Sequence, residues 1–347
     1  MSANIDMSNN RANIAFIGDR KDVWHRLGTA KQEGASIESW ATDAGLAHNV
    51  IKVPVIANLT DSAFGHLDEA KRFTPVDNCY LMARDDTGSV LSTKTVSDIY
   101  QVVQPREILD FCHRYVGVDD RFVMDTAGAL EGGRTVWASA VYRDPLEVAG
   151  EKHQARLLAS TTFDGSGSTT IQGTIIRVVC RNTINAAHSD TRAVVRVRHS
   201  TTFDHATAAR QLAGIAKSFA TFKAMGDAMA QAEMSKEEVS RFFKQLLDIP
   251  FDAPSKDVSA RKRNQFDDLT RCYRRSVEEG APAGSAWSAL QAITRYTDHE
   301  RSTRGGNAVS ELEARFNSAT FGSGNAMKGE AMGLLLPRIK DKVAVAA

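Results

Sequence analysis

Hydrophobic positions change their spacing along this chain. Over roughly the first 200 residues they come in short β-branched runs, some alternating with polar residues; beyond that they recur at helical intervals. HNVIKVPVIANL (His48–Leu59) reads as a strand, and it follows a predicted helix over Ser36–Ala47 with Ser36 as its N-cap. CYLMARDDTGSVLSTKTV predicts a hairpin turning at Asp85, Asp86 and Gly88. YQVVQPREILDFCHRYV predicts a strand ending near Gln104 and then a helix, with Pro105 in its first turn, where the missing N–H costs nothing.

The middle of the chain is the richest in strands. RFVMDTAGALEGGRTVWASAVY breaks at Glu131-Gly132-Gly133, and ARLLASTTFDGSGSTTIQGTIIRVVC breaks at Asp164–Ser168. Each break is a glycine-rich turn, so the two segments predict two hairpins and a mainly antiparallel sheet. TRAVVRVRHS is one further strand. From Asp204 the residues become Ala-, Leu- and Met-rich with little β-branching, which predicts a long helix. SKEEVSRFFKQLL opens on a capping box, Ser235 to Glu238. A proline-containing loop over 249–265, helices near 262–278 and 284–298, and a last helix after a Gly/Ser loop complete the pattern. The predicted fold class is α+β. It has a loose N-terminus over 1–20, an antiparallel sheet core with packed helices over 21–203, and a helical C-terminal region over 204–347.

Composition narrows the function. With 347 residues, 42% hydrophobic and 24% charged, the chain can bury a large core. A net charge of +1 removes the argument from an overall basic chain to nucleic acid, so such a role must come from local patches. The four cysteines form no CxxC pair, and reduced thiols are expected. No secretory h-region and no long apolar run is present, which predicts a cytoplasmic protein without membrane contact.

Two stretches concentrate cations. IIRVVCRNTINAA (Ile175–Ala187) starts as a strand and leads to Asn182 and Thr183, either of which could cap a helix. Alternation puts Ile176, Val178 and Cys180 on a core face and Arg177 and Arg181 on the other, beside a helix N-terminus suited to phosphate. With Arg192, Arg196 and Arg198, five arginines stand against the single Asp190 between Ile175 and His199. The second stretch is Lys256–Arg275, where Lys256, Arg261, Lys262, Arg263, Arg271, Arg274 and Arg275 face three aspartates. Together they fit a phosphate-backbone track; they fit equally a protein whose surface arginines pair with carboxylates.

Other chemistry is thin. There is no HExxH, no phosphate-binding GxxxxGK[ST] loop and no GxSxG. Aspartates such as Asp164 and the triplet Asp298-His299-Glu300 are candidate metal ligands, with no second cluster spaced to join the triplet; Trp24-His25 reads as packing. Trp137 and Tyr142 are candidate base-stacking aromatics, but alternation puts them on opposite faces of one strand. No cofactor and no catalytic residue is expected.

DVWHRLGT, YQVVQPREILDF, AGALEGGRTVWASA, TTFDGSGSTT, IRVVCRNTINAA, GSAWSALQAITRYTDHERSTR and FGSGNAMKGEAM, in this order over about 20–335, resemble the uncharacterised phage/plasmid-like protein family. Arg181 stands where that family usually carries Gln or a similar residue. The resemblance implies a mobile-element protein, often near recombination functions. The order of sheet then helices is similar, at fold level, to single-strand annealing proteins of the Rad52 type, which form rings or filaments. The expected function is therefore binding or annealing of single-stranded DNA, or of RNA, by a homo-oligomer. A protein-interaction or defence/anti-defence factor, and a metal-dependent nucleic-acid enzyme, are the alternatives.

Overall fold

A computed structural model describes residues 6, 12–17, 28–118, 122–165, 167–177, 183–185, 194–204, 215–302, 314–315, 318–320 and 322–340. Among them one large sheet and a group of helices share a core, confirming the α+β class and the helical C-terminal part.

The sheet begins earlier than the polar N-terminus suggests. Ile14–Ile17 forms β1, with Ile14 and Ala15 fully buried, so this part of the stretch expected to be loose lies inside the sheet. The reason is the run Ile14-Ala15-Phe16-Ile17, apolar enough to fill a strand position between two neighbours. β1 pairs in parallel with β2 (Thr29–Lys31) and antiparallel with β5 (Phe122–Leu130). Outward from β5 come β6 (Thr135–Tyr142), β8 (Glu151–Thr162) and β9 (Thr169–Arg177), all antiparallel. The short β7 (Leu146–Val148) pairs with the start of β8. The glycine-rich breaks read from the sequence are the turns between β5 and β6 and between β8 and β9.

Two other strands, β3 (Val50–Asn58) and β4 (Phe73–Arg84), make a separate two-stranded ribbon. Only its base is buried, at Val50, Met82, Ala83 and Arg84. There the Arg84 guanidinium donates to Asp6 at 2.5 Å and to Asp86 at 2.7 Å. The hairpin expected around Asp85–Gly88 does turn there, but its returning arm meets β4 only at Val90 and Val96. The strand expected up to Gln104 is absent. The Gln104 side chain instead bonds both backbone groups of Val50, at 2.8 and 3.0 Å, doing the work of a ladder partner.

Ser36 caps α1 (Ile37–Asp43) and α2 starts at Pro105 and runs to Val118, both as predicted. The C-terminal part supplies α3 (Ile215–Ala230), α4 (Lys236–Leu246), α5 (Ala260–Glu278), α6 (Ala286–Arg295) and α7 (Ser323–Leu335). The loop predicted over 249–265 is shorter, because Ser259 caps α5 and Ala260–Gln265 are already helical. Past Arg295, α6 widens into a π-helical turn over Tyr296–Glu300. Ala138, Ala140, Leu157, Ala159, Ile171 and Ile175 turn one sheet face to the helices, where α2 packs on β6 and β8 and α3 on β9.

Candidate nucleic-acid interface

The predicted arginine site falls at the outer edge of the sheet. β10 (Thr183–Asn185) and β11 (Val194–Val197) both run antiparallel along β9, so they form an interrupted edge strand. The helix expected to start at Asn182 or Thr183 is therefore not there. Thr183, Ile184 and Asn185 pair with Ile176, Ile175 and Thr174, and β-branched Thr183 and Ile184 suit that ladder better than a cap. The phosphate site built on a helix N-terminus is withdrawn with it. Arg181, Arg192, Cys180 and Trp24-His25 lie outside the described residues. Arg177 ends β9 in register with His153; its side chain is outside the described set.

β11 is anchored at both ends. Val195 is buried beside Ile171 of β9. Beyond the strand, His199 is buried and its ring stacks on Tyr100 at 4.5 Å between centroids. Its Nδ1 bonds the Gln101 carbonyl at 3.1 Å, and its Nε2 meets Thr161 Oγ1 at 3.4 Å. Burial holds this imidazole below its ordinary pKa, so it is neutral and adds no charge. Between these anchors alternation turns Arg196 and Arg198 outward, and both are exposed. Neither makes an ion pair among the described residues.

The second cluster has other work. Arg271 pairs with Glu300 at 2.9 Å and Asp268 at 2.7 Å, and Arg275 with Glu300 at 2.8 Å. Arg295 adds a third guanidinium to Glu300 and also holds Glu279. Burial pushes the Glu300 carboxyl up, but the bond and charge of Arg271, with the other arginines, outweigh it and leave the pKa below the usual range. Lys262 donates to Asp248, and Arg263 donates to the carbonyls of Ser255 and Val258. Arg261 and Arg274 are exposed without an ion pair among the described residues. Asp267 and Glu278 share the exposed face of α5, so its charge is mixed in sign rather than basic.

The candidate metal ligands are engaged as well. Asp298 accepts from buried Lys328 at 2.8 Å, and Asp164 Oδ1 from Thr162 at 3.0 Å. No group of three His, Cys, Asp or Glu able to hold a metal occurs among the described residues. Trp137 is buried with Leu130 and Leu158, and Tyr142 packs on Phe122 and Phe219, so neither offers a stacking surface.

One feature was not foreseen from the sequence. The sheet face opposite the main core carries Thr126, Ser139, Arg156, Ser160, Gln172 and Thr174. Arg156 pairs there with buried Asp125 at 2.7 Å, and Thr126 meets Ser139 at 2.8 Å. The signal was present in the polar alternate positions of TVWASAVY and QARLLAS, hidden because both strands are apolar overall.

Residues 92–320, more than half of the chain, match the family described as Domain of unknown function (DUF932). That span takes in the sheet from β5 to β11 and the helices α2 to α6, and leaves the β3–β4 ribbon outside. No curated protein and no solved structure matches the chain.

Proposed function

The chain belongs to the DUF932 family, and from its own residues we propose that it binds single-stranded nucleic acid, as a strand-annealing or recombination-type protein of a phage or plasmid. The observation that carries this is the pair Arg196 and Arg198, both exposed, one on the edge strand β11 and one just past its end, in a segment that Val195 and His199 pin to the sheet. Two neighbouring exposed guanidinium groups, neither in an ion pair among the described residues, suit consecutive backbone phosphates. Arg177, Arg181 and Arg192 belong to the same stretch of chain. The resemblance to phage/plasmid-like proteins, and the order of sheet then helices similar to single-strand annealing proteins, support the same reading.

Binding on this basis is independent of sequence and falls with salt. Labelled oligothymidine titrated by fluorescence anisotropy tests it. Double charge reversal, Arg196→Glu with Arg198→Glu, weakens binding at least tenfold and lowers the slope of log K against log salt by about 1.4, at about 0.7 per phosphate contact. A wild-type chain that binds no oligonucleotide at low salt, or a double variant that binds like the wild type, rejects the proposal.

A second reading, protein interaction, has an observation of its own. The outer half of the β3–β4 ribbon exposes Ile56 and Phe73, 52% and 57% accessible, together with Val76. Lys71 and Arg72 lie beside Asp68 and Glu69 near its tip, a mixed set of charges that a second copy of the chain would complement. We take this surface as the basis of a homo-oligomer, which an annealing protein needs to hold a strand over many nucleotides.

A further inference from the structure

The basic cluster after α4 orders a loop, and that loop presents the one aromatic side chain in the region that is half exposed. α4 ends at Leu246; Asp248 takes a left-handed φ of 51°, and Ile249 returns to the core with its N–H on the Lys244 carbonyl at 2.8 Å. Pro250–Ala253 then makes a tight turn, closed from the Ala253 N–H to the Pro250 carbonyl at 3.2 Å. Phe251 occupies the outer corner of that turn and is 50% exposed. Three cations staple the loop. Lys244 donates to the Phe251 carbonyl at 2.9 Å, Lys262 to the Asp248 carbonyl, and Arg263 to the carbonyls of Ser255 and Val258. The ordered loop thus keeps half of a large apolar ring in water, where covering its exposed part is favourable.

Facing Phe251 is the solvent side of α4. Val239, Phe242, Phe243 and Leu246 are its buried side; Lys236, Arg241 and Lys244 lie on the other. Between that side and Phe251 runs an open groove of about 640 Å³, within the roughly 300–1,000 Å³ of small-ligand sites. Glu237 and Asp252 are the acids that line it, so three cations face two carboxylates. Arg241 and Lys236 make no ion pair among the described residues.

We propose that this groove is a base-stacking subsite for single-stranded nucleic acid, in which one base stacks on Phe251 while Arg241 and Lys236 hold the phosphates on either side. It rests on the single-strand reading above and deepens it. An exposed ring beside unpaired cations is the combination that holds a strand without reading its sequence. Glu237 and Asp252 oppose any anion entering the groove, so stacking on Phe251 is what favours a strand over an acidic peptide, which brings charge without a base to stack.

Anisotropy with labelled oligothymidine and with a duplex of the same length tests this on the full chain. Phe251→Ala weakens single-strand binding about tenfold, Phe251→Trp restores it, and Arg241→Glu weakens it by a similar factor. Duplex affinity changes by less than twofold in Phe251→Ala, because paired bases cannot reach the ring. Phe251 is exposed, so thermal unfolding of the variants stays at the wild-type midpoint. A Phe251→Ala chain that binds single strands like the wild type, while Arg196→Glu with Arg198→Glu does not, overturns the groove and leaves the single-strand reading standing. Equal loss of single-strand and duplex binding in Phe251→Ala also overturns it, and competition by polyglutamate as strong as by oligothymidine does the same. No binding of any oligonucleotide by the wild type overturns both.

Discussion

Protonating His153 would put a cation at a site with 1% of its surface exposed, against the edge of Trp287 at 5.6 Å. Its Nδ1 already bonds the Glu151 carbonyl at 3.0 Å, while its buried Nε2 has no hydrogen-bond partner among the described residues. Burial pulls its pKa down to about 4, only partly opposed by the charge of Asp227. His48 and His199 are lowered too, chiefly by burial. In each case the unfolded chain binds the proton better than the folded one. Their stabilisation is therefore complete above about pH 6.5 and is lost as the pH falls toward the folded pKa. For His153 the window runs from about 6.5 to about 4, and the loss is on the order of 3 kcal/mol by the usual 1.4 per unit. Urea unfolding from pH 7.5 to 4.5 checks this against His153→Gln, whose stability curve is flatter over the window. Curves of equal slope would show that the folded state accepts the proton. None of this was legible in the sequence, since a histidine's burial depends on which helix covers it, and Trp287 is far along the chain.

Elements divide by how local their causes are. α4 was legible in full because the Ser235–Glu238 box, its reciprocal bonds at 3.2 and 2.8 Å, and the apolar side lie within twelve residues. The turns at Gly132-Gly133 and Gly165 were legible for the same reason: glycine takes the positive φ they need. β10 was not, because Thr183-Ile184-Asn185 can begin a helix or extend a sheet, and only pairing with β9 decides. β1 was missed for want of its partners, β2 just downstream and β5 more than a hundred residues away. The β3–β4 ribbon was half legible. β3 follows from its β-branched run and the end of β4 from the hairpin read from Cys79 onward, but neither the start of β4 at Phe73 nor the separation of the pair from the large sheet does. An exposed two-stranded ribbon with bare apolar side chains is marginal by itself. If it joins copies of the chain, Ile56→Asp with Phe73→Asp reduces the particle mass by light scattering and leaves the unfolding midpoint within about 2 °C, since both side chains lie outside the core. Oligomers of unchanged mass would remove the ribbon from the assembly.

At the scale of the whole molecule, charge is spent before it can be used. In a chain of net charge +1, two arginine-rich stretches stand out as candidates to meet phosphate. Sequence showed where the arginines are, but not that Glu300, twenty-five residues beyond Arg275, turns back on a π-helical turn to collect two of them, Arg271 and Arg275, together with Arg295. Of the cations proposed to meet a strand, those outside ion pairs and loop bonds among the described residues are Arg196 and Arg198 at the sheet edge, Arg241 and Lys236 on α4, and Arg261 and Arg274 on α5. So few contacts give a shallow salt dependence. Glu300→Gln separates the two uses of the same residues. It leaves Arg271, Arg275 and Arg295 crowded around a neutral amide, and removing one partner of this half-buried network lowers stability by about 1–3 kcal/mol. It also returns Arg271 and Arg275, both about half exposed, to the surface. If a bound strand passes α5, single-strand binding tightens at low salt and the slope of log K against log salt steepens by about 1.4 for two added contacts. If the slope is that of the wild type while stability falls, α5 is structural alone, and the strand's path is confined to the β11 edge and the Phe251 groove.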